Sequence, residues 1–198
     1  MRAIIGIGNP GARYKNNRHN IGFQFLDYFA EKRSLVFRPS KFDYEFVEGN
    51  VSENGFVLIK PVTFVNLSGS AVLECIEFYR LNIEDIIVIV DDINLPLASL
   101  RIRKSGGDGG HNGLSSIIFN LNSDNFARFR VGVGNEFEKG SLADYVLTDF
   151  DKEEMKILES VFQDSSVLIE YFVIGGYDMM MREYGKIIND SKKDNPEN

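Results

Sequence analysis

Two short fragments, far apart in the chain, gather the residue types best suited to chemistry. The first is Gly6-Ile7-Gly8-Asn9-Pro10-Gly11, followed by Tyr14 and Arg18-His19-Asn20. The second is Gly106-Gly107-Asp108-Gly109-Gly110-His111-Asn112-Gly113. Each joins glycines to an Asn and a His, and between them they hold both His residues of the 198-residue chain. Glycine lets backbone approach a ligand closely or take left-handed dihedrals. A His gains and loses a proton near neutral pH, and an Asn amide donates hydrogen bonds without titrating. The set suits acid–base chemistry on a ligand held against backbone.

Other residues bear on that chemistry. Asp91-Asp92 closes the apolar run Ile86–Val90, and open α/β sheets bind ligands at the carboxyl ends of their parallel strands. Turn or helix capping is the commoner use of such an Asp. Asn66 precedes a helical pattern and is equally readable as a cap. Arg101 and Arg103 alternate on one strand, as do Arg128 and Arg130 on another, so each pair shares a face. That face is either solvated or a phosphate-contacting patch. Gly6-x-Gly8-x-x-Gly11 formally matches a dinucleotide fingerprint. The polar segment after it and the placement of Asp27 inside a helix argue against nucleotide binding. The second glycine run lacks a Walker Lys-Ser/Thr, and two His with one Cys offer no recognisable metal-ligand spacing. Cys75 falls on the apolar stripe of a helix, which makes it core rather than nucleophile.

These residues need elements to position them. A first strand covers residues 1–8, followed by a polar loop over 9–20. A helix spans 21–33 with Phe25, Leu26, Phe29 and Ala30 on one face. Residues 44–51 and 55–61 form a hairpin, with Ser52-Glu53-Asn54-Gly55 as its turn. After a loop over 62–69, a helix runs to about Leu81 with the stripe Val72, Cys75, Ile76 and Tyr79. Strands follow at 86–90, 100–104 and 127–134, with a helix over 114–121 opened by the glycine-rich loop. Asp151-Lys152-Glu153-Glu154 is a capping box for a long helix to about Ile174, which Gly175-Gly176 breaks before a final amphipathic helix. The alternation predicts a single-domain, three-layer α/β/α fold with a mixed, largely parallel twisted sheet over residues 1–190. Residues 191–198 read as a polar, disordered tail.

Composition sets outer limits. Hydrophobic content of 43 % with 16 Phe supports one sizeable core. Charged residues interrupt every apolar run before it reaches membrane-span length, so no membrane partner is expected. One cysteine fits a reducing cytoplasm. A net charge of −7 disfavours generic nucleic-acid binding unless the arginines form a local stripe.

Taken in order, the fragments resemble the bacterial-type peptidyl-tRNA hydrolases. The likeness runs through Gly8-Asn9-Pro10-Gly11, Tyr14, Arg18-His19-Asn20-Ile21-Gly22 and Pro61-x-Thr63-Phe64-x-Asn66-Leu67-Ser68-Gly69. It continues through Asp91-x-x-x-Leu95-Pro96, the second glycine run, Arg128-Phe129-Arg130-Val131-Gly132-x-Gly134 and Tyr145-Val146-Leu147. The resemblance implies a cytoplasmic, monomeric esterase without metal or other cofactor. It would cleave the bond between a peptide and the terminal ribose of tRNA, recycling tRNA from prematurely released chains, with transient association with the ribosome. By position it makes His19 the catalytic histidine, Asp91 its partner carboxylate and Asn9 a further site asparagine. Asn66, Asn112, Tyr14, Val65 and His111 fall on the substrate side, and Arg103, Arg130 and Arg101 on the side of the tRNA phosphate. Val65 stands where many members carry Met. Asn94 replaces a frequent Asp and Asp108 a frequent His, which bears on substrate grip and the loops over the site.

Overall fold

The computed structural model describes residues 1–135 and 140–194, with side chains through 188. Its elements in chain order are β1 (Arg2–Gly6), α1 (Ile21–Glu31), β2 (Arg38–Pro39), β3 (Tyr44–Val51), β4 (Asn54–Pro61) and α2 (Ser68–Tyr79). There follow β5 (Ile86–Asp92), β6 (Leu100–Arg103), α3 (Asn112–Leu121), β7 (Ala127–Gly132), α4 (Leu142–Val146) and α5 (Lys152–Asp194). The seven strands form one sheet in the order β2-β3-β4-β1-β5-β7-β6. The inner four run parallel, and antiparallel strands border them on both sides. This is the expected mixed α/β/α architecture.

Strand alternation divides the core into two layers. Ile4, Ile87, Ile89 and Phe129 pack with Phe25 and Phe29 of α1 and Phe162 and Phe172 of α5. Ile5, Val88 and Val90 face the other way, onto Val72 and Cys75 of α2 and Leu114 and Ile117 of α3. Burial on both faces explains the unbroken apolar runs of β1 and β5. It also pushes the Cys75 thiol up to about 12, in keeping with a core residue.

Several boundaries differ from expectation. The hairpin turn is two residues, because Val51 pairs with Asn54. Ser52 carries the positive φ (54°), and Gly55 lies within β4. The two-residue strand β2 and the five-residue α4 are too short to carry a periodicity. The Asp151 box caps α5 as expected, with its Oδ1 accepting from the N–H groups of Glu153 and Glu154 (both 2.8 Å). At Gly176 (φ 74°, ψ −167°) the helix breaks into two segments. Helix continues to Asp194, into the segment expected as a disordered tail, while residues 195–198 lie outside the described residues.

The connection after β1 runs to β4 on one side and the connection after β5 runs to β7 on the other, so the carboxyl ends of β1 and β5 flank a topological switch point. Such crevices hold ligands in open α/β sheets. Close backbone contact fixes α1 there. A Cβ on Gly22 would lie 2.5 Å from both the Ile7 nitrogen and the Ile89 oxygen. One on Gly6 would lie 2.5 Å from the Gly22 oxygen. Gly6, the first glycine of the apparent dinucleotide fingerprint, therefore packs a helix onto the sheet.

Candidate active site

At the switch point, the turn before α1 sets His19 beside the end of β5. The His19 Nδ1 lies 2.8 Å from Asp91 Oδ1, and the His111 Nε2 lies 2.9 Å from the same oxygen. Asp91 is buried, with 4 % of its surface exposed, while the His19 side chain keeps 14 %. The hydrogen-bond network assigns the tautomer of His111, whose Nδ1 accepts from the backbone N–H groups of Gly113 (3.1 Å) and Leu114 (3.3 Å). Its ring proton is therefore on Nε2, donated to Asp91. His111 both caps α3 and secures the carboxylate.

His19 donates its Nδ1–H to Asp91, and no described residue takes its Nε2. Burial lowers the affinity of His19 for a proton. The charge of Asp91 and its hydrogen bond more than offset this, so the pKa lies above the ordinary His value. The converse holds for Asp91. Burial alone would raise its pKa, but the two histidines hold it well below the usual carboxylate range. The carboxylate is thus held as an acceptor, and its bond orients the His19 ring.

The polar loop carrying His19 is held at both ends. Asn20 is buried, and its amide closes a ring with Asn9: Asn9 N–H donates to Asn20 Oδ1 (2.8 Å), and Asn20 Nδ2 donates to the Asn9 carbonyl (2.9 Å). Arg18 makes a two-pronged pair with Glu154 of α5 (2.8 and 3.0 Å) and donates to the Val133 carbonyl (3.0 Å). Backbone bonds from Arg18 to Thr148 and from Phe150 to Asn16 stitch the loop to the segment after α4. Arg18 and Asn20 have no assigned role in the sequence reading, although they flank His19 in its motif. Asn residues are common in loops, and nothing local shows which partner an Arg will find.

The expected site residues divide by position. His19, Asp91, His111, Asn112 and Arg130 line one cavity of about 370 Å³. Asn9 borders an adjacent cavity with Asn20 and Lys60. Its Oδ1 accepts from the Val65 N–H (3.2 Å), which turns its Nδ2 outward as a donor without a described partner. Asn66 and Asn112 are exposed, and their side-chain amides bond to no described residue. Two expectations change. Val65 is 4 % exposed and packs in the core, so its backbone N–H reaches the site through Asn9 but its side chain does not meet substrate. His111 lines the cavity but is buried, with one nitrogen committed to Asp91 and the other to α3, so it offers no free nitrogen to a ligand. Tyr14 does not line the His19 cavity, and its hydroxyl is engaged by the Arg13 guanidinium.

The arginines form a graded edge. Arg101 pairs in register with Arg130, and Arg103 with Arg128, putting all four on the sheet face that carries α2 and α3. Arg101 and Arg103 are exposed; Arg130 and Arg128 are buried. Arg130 donates to Asp92 Oδ2 (3.3 Å) and to the Asp108 carbonyl (2.8 Å), joining β5 to the glycine-rich loop. Asp108 accepts from the Gly110 N–H (2.7 Å), where Gly109 and Gly110 take positive φ (62° and 82°). Asp92 also accepts from the backbone of Asn94 (2.9 Å). Asp91 and Asp92 therefore divide the work, one serving the histidines and the other the arginines.

The ligand atoms of His19, Asp91 and His111 lie within 4.8 Å of one another. A cation there would have to displace both ring protons now donated to Asp91. Together, the sheet and the His–Asp pair define an α/β domain with a histidine–carboxylate site at its switch point. The peptidyl-tRNA hydrolase family model matches residues 3–194. The chain is 41 % identical over 184 residues to a peptidyl-tRNA hydrolase of Alkaliphilus oremlandii, covering 93 % of this chain and 99 % of the relative. It is 40 % identical to one of Exiguobacterium sibiricum, covering 93 % and 100 %. The crystal structure of peptidyl-tRNA hydrolase from Acinetobacter baumannii superposes with a TM-score of 0.83 at 30 % identity, covering 88 % of this chain and 89 % of that one. The chain belongs to the peptidyl-tRNA hydrolase family.

Proposed function

We propose that this protein hydrolyses the ester between a peptide and the terminal ribose of tRNA, with His19 as general base. The observation that carries the reading is the 2.8 Å bond from His19 Nδ1 to a buried Asp91, which leaves Nε2 for a water at the cavity. His19 Nε2 takes a proton from that water as its oxygen attacks the ester carbonyl. The outward Nδ2 of Asn9, or that of Asn66, supplies a neutral donor for the developing oxyanion, where one donor is worth about 3 kcal/mol. Collapse breaks the bond to the ribose oxygen, which takes the proton back from His19. Asn112 holds the peptide main chain or the water. Arg103 and Arg130, with Arg101, supply salt-sensitive contacts to tRNA phosphate. The reaction needs no metal. The reading places the chain in the cytoplasm as a monomer acting on released peptidyl-tRNA, with transient ribosome contact. Its single Cys and the lack, among the described residues, of a helix long and apolar enough to cross a membrane accord with this.

The test is release of N-acetyl-amino acid from an N-acetyl-aminoacyl-tRNA, with unblocked aminoacyl-tRNA as control and EDTA present. Rapid cleavage of the blocked ester alone, indifferent to EDTA, is expected. Folded protein that leaves the blocked ester intact would overturn the reading.

A further inference from the structure

A second groove begins where the catalytic cavity ends, because Asn112 lines both. It follows α3. Asn112, Ser115, Ser116 and Phe119 recur at helical spacing, so they share one face. The floor is tight. Gly69 N–H donates to Ser116 Oγ (3.0 Å), and a Cβ on Gly69 would meet the Ser116 carbonyl oxygen at 2.2 Å. Asn66 and Asn112 form the head. Leu67, 56 % exposed, and Phe119, 85 % exposed, form apolar walls. Among the described residues no charged side chain lines the groove, whereas Arg130 borders the catalytic cavity.

We propose that this groove receives the residues of the peptide beyond the esterified one, and that Phe119 confers a preference for an apolar side chain there. This rests on the function proposed above. A polynucleotide carries a phosphate at every residue and would meet no cation in this groove. A peptide strand brings uncharged amides, which the free Asn66 and Asn112 amides and the Ser115 hydroxyl can bond, and side chains that Leu67 and Phe119 can cover. The seven-residue step from Asn112 to Phe119 spans about 10 Å of helix. An extended peptide covers that distance in about three residues. Phe119 therefore meets the third residue from the ester, and an N-acetyl-aminoacyl group is too short to reach it.

The experiment compares kcat/KM for N-acetyl-tripeptidyl-tRNAs carrying Leu or Glu at the third residue from the ester, each relative to N-acetyl-aminoacyl-tRNA, in the wild type and in Phe119→Ser. The wild type should favour Leu over Glu by roughly tenfold, the scale at which a hydrophobic contact discriminates. Phe119→Ser should bring that ratio close to one. An unchanged ratio in the variant would overturn the proposal. So would an equal loss on the short substrate, which would instead mark Phe119 as a stacking platform for the tRNA end. Failure of the wild type to cleave even the short substrate would remove the underlying reading, a result distinct from either. Phe119 is almost fully exposed, so its replacement removes no core contact.

Discussion

The His19 wall of the cavity and the arginine edge beside it begin from the carboxyl ends of neighbouring strands, yet they are built on different terms. At His19, the polar groups are held by specific partners: Asp91 Oδ1 receives two ring N–H groups, His111 is fixed by α3, and Asn9 by Val65. Along β6 and β7, positive charge is spread over four arginines, with buried Arg130 tied to Asp92 and exposed Arg103 bonded, among the described residues, only to the neighbouring Ile102 carbonyl. Proton transfer demands position to a fraction of an ångström, whereas attraction of a polyanion depends on summed charge. The first wall should fail abruptly on substitution, and the second by degrees.

The largest effect expected is that of His19→Ala. Loss of the general base should lower kcat by about 10²–10⁴-fold, with tRNA affinity nearly unchanged. Near wild-type turnover would remove His19 from the mechanism. Asp91→Asn should follow closely in kcat and carries a separate signature in pH. Asp91 raises the pKa of His19, so the acid limb of the wild-type kcat profile should lie above the ordinary His value, with activity falling as pH drops through it. Removing the charge leaves only the lowering effect of burial, so the limb of the residual activity should move to lower pH. A limb that stays in place would mean that another group titrates. The same sign governs stability: the contribution of His19–Asp91 is full below the ordinary His pKa and is lost as pH rises through the elevated folded value.

His111 offers a sharper cut, because two variants separate its two bonds. In His111→Asn the side-chain oxygen can still cap α3, but the shorter side chain gives up the 2.9 Å bond to Asp91. Roughly tenfold lower kcat, with little change in Tm or KM, is the expected result. His111→Ala should lose the cap as well, at about 1 kcal/mol of stability. If His111→Asn turned over like wild type and only His111→Ala lost stability, His111 would be a cap and nothing more.

The contrast also governed what the sequence could disclose. Chemistry-bearing types beside glycines marked His19, His111, Asn9 and Asn112, and the apolar run before Asp91 placed it at a strand end, where the sheet brings it to His19. Period-two and helical patterns located the long elements, because their residues are buried on predictable faces. Roles set by long-range partners stayed hidden. Arg18 meets Glu154 across 136 positions, and Asn20 looks like any loop asparagine until its ring with Asn9 is seen. Val65 and His111 each sit beside an exposed Asn in sequence, but Val65 packs into the core and His111 commits both ring nitrogens to Asp91 and α3. Sequence adjacency fixes where a backbone goes, not which side chain receives the cavity.

The smallest effects belong to the arginine edge, where the two cations should respond differently. Arg103→Ala removes an exposed charge without a described carboxylate partner, so it should raise KM for tRNA substrates several-fold and leave Tm unchanged. The slope of log binding constant against log salt should become shallower by about 1, as for one phosphate contact. Arg130→Ala should do the same and more. It removes the nearer arginine from buried Asp92, 4 % exposed, leaving Arg101 3.9 Å away, and frees the Asp108 carbonyl, so a stability loss of about 1–3 kcal/mol should accompany the higher KM. Short nucleotide esters that lack the distal phosphates should be cleaved by Arg103→Ala as by wild type. If both variants impaired tRNA and short esters alike, the arginines would be shaping the catalytic cavity and not gripping tRNA. If the salt slope stayed unchanged in both, the phosphate contacts would have to lie elsewhere on the molecule.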